Sequence, residues 1–152
     1  HLVNVSKAQA KYHWPDFGAI ELKDPVTQEM VSWVDYMFSM ALAFNGVSND
    51  LQQGQVENAR NNFQAFSARF KALPADACVR CHTTPRNYFV DADVQAMVDQ
   101  LGEALAASDP NAELIGQLSG GIGNESCLKC HLVHQPAAYT KARWEQFADL
   151  FK

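Results

Sequence analysis

The sequence predicts an all-α fold on three observations: apolar residues recur at spacings of three and four, cap residues and prolines punctuate those stripes, and no stretch alternates as a strand does. At 152 residues and 47% hydrophobic content, the chain suits one domain with a real core. The expected architecture is a single domain over 1–152, four-helix-bundle-like, with an extended N-terminal arm.

Each element has a local reason. From His1 to Lys23 there is little periodicity, and Trp14-Pro15-Asp16-Phe17-Gly18 reads as a turn, so this part forms the arm. Asp24-Pro25 then offers an N-cap and a first-turn proline. Met30, Trp33, Val34, Met37, Ala41 and Phe44 follow as a stripe up to Gly46, giving a first helix over about 25–45. Ser48, Asn49 and Asp50 supply the next cap, and Val56, Ala59, Phe63, Phe66, Phe70 and Leu73 line a second helix ending near Pro74. The short connection makes these two helices antiparallel neighbours.

Asp91 or Asp93 opens a third helix with Val94, Met97, Val98, Leu101 and Leu105 on one face, stopping before Ser108-Asp109-Pro110. Glu113 to Leu118 fits a short helix, and Ser119-Gly120-Gly121-Ile122-Gly123 reads as a backbone break. Pro136 opens the last helix, with Trp144, Phe147 and Leu150 or Phe151 facing inward.

The formal charge of −5 argues against nucleic acid or an anionic membrane surface as partner and favours a protein with a basic docking patch. The most apolar run, Met30 to Val47, carries Asp35, Ser32, Ser39, Asn45 and Gly46, so it reads as a packed helix and no membrane-spanning segment is expected. The chain begins without a basic and then apolar leader, which fits a mature, exported protein.

All four cysteines fall in two copies of one pattern, Cys78-Val79-Arg80-Cys81-His82 and Cys127-Leu128-Lys129-Cys130-His131. In C-x-x-C-H, two thiols one helical turn apart each form a thioether to a haem vinyl group, and the adjacent histidine is held under the iron. A zinc ribbon keeps its two C-x-x-C halves within about 15 to 20 residues, far closer than these, and structural disulfides do not require the repeated histidine. The pattern therefore predicts two covalently attached haems, bound through Cys78, Cys81, Cys127 and Cys130, with His82 and His131 as proximal ligands.

Residues 25 to 90 resemble the cytochromes c-prime, four-helix haem proteins whose motif closes a helix as C-x-x-C-H-x-x-aromatic-Arg. Here Arg86 is in place and Pro85 stands where the aromatic belongs. The second motif, followed by Leu132-Val133-His134-Gln135-Pro136, is similar to the C-x-x-C-H-x-x-H-x-P form of multihaem c-type cytochromes, in which the extra histidine often ligates a neighbouring haem. Together the resemblances imply a dihaem c-type cytochrome. Attachment of such haems takes place outside the bacterial cytoplasm, which implies the periplasm.

The distal ligands are open among His13, His134, His1, Met37 and Met40. A fold-back near residue 48 sets the first motif level with residues 14–20, bringing His13 to the first haem and leaving Met37 and Met40 about 20 Å away. His134 lies three residues beyond His131, on the same side of a helix, so it serves the other haem or none. If segment 111–118 brings the chain back beside the first haem, His134 reaches that iron and leaves His13 or His1 for the second; if not, the second haem lies at the far end and Met37 or Met40 becomes its sixth ligand. An electron carrier is the leading expectation and implies no enzymatic activity. Gas binding at a five-coordinate haem and a small haem enzyme are the alternatives.

Overall fold

The computed structural model describes residues 19–76, 78 and 89–131. Among them the chain is all-α apart from one short hairpin, β1 (Glu21–Lys23) paired antiparallel with β2 (Met30–Ser32), Leu22 opposite Val31. Four helices follow: α1 (Trp33–Gln52), α2 (Val56–Asp76), α3 (Ala92–Ala106) and α4 (Ala112–Ile122). A π-helical stretch, Gly123–Leu128, prolongs α4, and the chain stays helical to residue 131.

The hairpin corrects the sequence expectation, which began the first helix at Pro25 and found no strands. Asp24 is not an N-cap. Its Oδ1 accepts the Val26 N–H at 2.8 Å and its backbone N–H reaches the Glu29 carbonyl at 2.9 Å, so it organises a turn inside the hairpin. Helix α1 is instead capped by Ser32, whose hydroxyl accepts from the Asp35 N–H at 3.1 Å.

The link between the first two helices is also later than expected. Gly46 does not end α1, because it lies where α2 crosses closely: a Cβ there would meet Asn62 Nδ2 at 2.4 Å. The actual reversal uses Gly54, at φ 72, a conformation that only glycine adopts without strain. Helix α3 fits expectation, capped by Asp91 and burying Val94, Val98, Leu101 and Leu105. The glycine-rich run 119–123 does not break the backbone. A buried face of Ile115, Ser119, Ile122 and Ser126 runs straight through it, and packing along that face outweighs the low helix propensity of glycine. The arm before residue 19 and the helix from Pro136 lie outside the described residues.

Helix directions follow from named contacts. Tyr36 Oη donates to the Arg69 carbonyl at 2.7 Å near one end of the α1–α2 pair, and Asn62 Nδ2 donates to Asp50 Oδ2 at 2.7 Å near the other, so the two are antiparallel. Arg60 donates to the Leu105 and Ala107 carbonyls, both at 2.8 Å, closing the C-terminus of α3, while Lys71 meets Asp99 at 2.5 Å. That makes α2 and α3 antiparallel. Near the start of α3, Met97 Sδ packs on Gly121 near the end of α4, so α4 reverses again. Helices α2 and α4 therefore run in the same direction, and α4 also meets α1.

The α1 core face is Tyr36, Met40, Ala43 and Val47, one step round from the expected stripe; Val34, expected inward, is 62% exposed. Opposite it Phe66 stacks obliquely between Phe44 (4.6 Å between ring centres) and Phe70 (5.3 Å). Beneath these rings lies a buried ion pair, with Arg69 Nε 2.9 Å from Asp24 Oδ2. Burial alone would raise the Asp24 pKa. The Val26 N–H and the Arg69 guanidinium outweigh it and hold the carboxyl below its usual range. Among the described residues no helix is long and apolar enough to cross a membrane.

Candidate functional site

Cys78 lies just past the C-terminal end of α2, and Cys127, Cys130 and His131 lie on the helical continuation of α4, so the shared direction of the two helices brings these residues toward one end of the described fold. Pro74 lacks the N–H that would bond back into α2, weakening the last turn just before the chain leaves the helix. Cys78 follows, half-buried against the hydrophobic core. The chain is described again at Phe89 and Val90, and Val90 is buried in that same core.

The second motif is displayed on a helix. Cys127 ends up in the π-helical stretch, and Cys130 and His131 in the turn after it. Positions three and four apart share a helix side, so Cys127, Cys130 and His131 present two thiols and an imidazole along one flank. Both cysteines are half-buried and His131 is exposed. Cβ atoms added at Gly123 or Gly120, about one and two turns before Cys127, would meet nothing within 4 Å. Lys129 pairs with Glu125 one turn back. Wide π turns often occur at functional positions, because the extra residue re-aims the side chains that follow.

Ser126 ties the motifs together. It is 2% exposed, and its hydroxyl donates to the carbonyl of Phe89, seven residues past the first motif in sequence. The thiols are neighbours electrostatically as well. Burial pushes Cys127 up, and Cys130 is pushed up to about 11, by burial first and then by Cys78 and Cys127. Among the described residues no three His, Cys, Asp or Glu side chains gather as a metal-holding group. The residues present fit covalently anchored haem: two thiols a turn apart, a following imidazole that protein does not cover, and open space along the same helix.

Cys81, His82, His13 and His134 lie outside the described residues. The register that set His13 level with the first motif does not carry over, because the reversal lies at Gly54 and a hairpin, not a helix, precedes Trp33. Tyr36 is level with Arg69, so Met37 and Met40 lie closer along the axis to Cys78 than that register implied. Met40 is 8% exposed within the core and Met37 packs against it, as gap-filling methionines do. Sequence reasoning missed Ser126, although its spacing continues the Ile115–Ile122 face.

Comparison with protein-family models, with curated proteins and with solved structures found no match.

Proposed function

We propose that this protein is an electron carrier with two covalently attached c-type haems, anchored through Cys78 and Cys81 at one motif and Cys127 and Cys130 at the other. The observation that carries the reading is the histidine directly after the second cysteine of both pairs, which gives His82 and His131 the proximal positions. The helical flank of Cys127, Cys130 and His131 supports it. Bound haem iron supplies a one-electron couple, whose potential the protein sets through axial ligand, hydrogen bonding and burial.

His134 and His13 are the proposed distal ligands. The shared end of α2 and α4 favours His134 for the first haem, since it cannot clasp the opposite face of its own; His13 or His1 then serves the second. Two imidazoles on an iron leave no open position for a substrate, which fits a carrier and not an enzyme. The proposed setting is the bacterial periplasm. The proposed partner is a redox protein with a basic patch facing this acidic chain.

Mass spectrometry after acid-acetone extraction, which breaks axial bonds but not thioethers, should retain two haem masses. Retention of none refutes the reading. Ferric and ferrous spectra with and without carbon monoxide then test the ligands: low-spin haems inert to the gas support the carrier, whereas a high-spin haem that binds it shifts the function to gas binding. Replacing His134 or His13 by alanine should convert one haem toward high spin without releasing it.

A further inference from the structure

Two haems on one chain serve as separate sites or as one unit, and the paths of α2 and α4 bear on which. The two helices run in the same direction and each ends in a motif, so the anchor points share one end. Within that end the contact is specific. Ser126, next to Cys127 and almost fully buried, donates its hydroxyl across 37 residues of sequence to the Phe89 carbonyl, where the chain returns from the first motif. Val90, beside Phe89, is seated in the core, so the acceptor is fixed from behind.

From this we propose that Ser126 is a positioning residue, clamping the two attachment motifs against each other so that the haems they carry form one electronically coupled pair. The inference rests on the dihaem reading and deepens it. A buried hydroxyl bonded to a half-buried carbonyl is directional, so it constrains the separation and mutual angle of the two backbones more tightly than apolar packing does. Electron transfer and electrostatic interaction between the irons both depend on that separation.

Circular dichroism in the Soret region reads the arrangement directly, because two neighbouring porphyrins exchange excitation and split the band into a positive and a negative lobe. The full-length holoprotein should show such a couplet. Ser126→Ala should keep two haems by pyridine haemochrome assay while the couplet collapses toward a single band and the two reduction potentials draw together. Ser126→Thr, which keeps the hydroxyl, should restore both signals. An unsplit band in the wild-type protein with two haems counted overturns the coupled pair, and an unchanged couplet in Ser126→Ala overturns the role of Ser126. A haem count other than two overturns the dihaem reading itself.

Discussion

Across the α1–α2 interface three aromatic rings are buried among Met40, Ala43, Val47, Ala59 and Leu73, beside a paired buried charge; across α3–α4 the core is aliphatic and, among the described residues, one polar atom has no partner. Tyr36, Phe66 and Phe70 fill the first, above the Asp24–Arg69 pair. Val94, Val98, Leu101, Leu105, Ile115 and Ile122 fill the second, where the Ser119 hydroxyl is buried without a hydrogen bond. Aromatic rings bury more area per residue than Val, Leu or Ile, so each of the three adds more to the α1–α2 contact than an aliphatic residue in its place would. Helix α4 is shorter, with glycines at 116, 120 and 121, and the second motif lies on its helical continuation. The two halves thus differ in how their buried polar atoms are satisfied, and on the dihaem proposal the second would be completed by the haem it carries.

The largest expected effect breaks the self-sufficient half. Asp24→Ala leaves Arg69 buried and unpaired, and should cost about 3–5 kcal/mol in urea unfolding. A double replacement, Asp24→Leu with Arg69→Met, should recover much of that loss. The same pair sets an acid limb. Because the folded Asp24 pKa is depressed, its contribution is complete above the unfolded value of about 3.9 and is lost as pH falls through the lower folded value. The acid limb should vanish in the double variant.

A second experiment sharpens the contrast itself. Replacing Cys127 and Cys130 by serine should remove one haem and lower hydrogen-exchange protection in 112–131 by about tenfold or more, while α1 and α2 amides stay protected. Equal loss in both halves would show that the comparison is drawn in the wrong place.

Smaller effects separate two glycines. Gly54→Ala, at φ 72, should cost about 1–2 kcal/mol. Gly46→Ala displaces the Asn62 amide from Asp50, but regains about 1 kcal/mol of helix propensity, so its thermal midpoint should barely move.

Much of this architecture was legible from residue spacing. Helix α3 was, almost to its ends, because an aspartate cap precedes a clean stripe and Pro110 follows it. The start of α1 was not, since Asp-Pro opens a helix and a turn equally well, and three-residue strands are too short to show alternation. The glycine run misled for a different reason: local propensity was read where tertiary packing of Ile115 and Ile122 decides. The motif cysteines were plain from the pattern alone. Their neighbourhood was not, because it depends on two helix directions and one hydrogen bond between distant residues.

The parallel course of α2 and α4 has an electrical consequence. Peptide dipoles add along a helix to leave roughly half a negative charge at its C-terminus, and here two such ends face the same place. Neither α2 nor α4 carries a basic residue in its last turn, and Lys129 farther on is matched by Glu125. The backbone itself therefore adds a negative field around the motifs. In the proposed dihaem carrier such a field would favour ferric over ferrous iron, lowering both potentials, and would draw a cationic partner toward this end, more strongly as ionic strength falls.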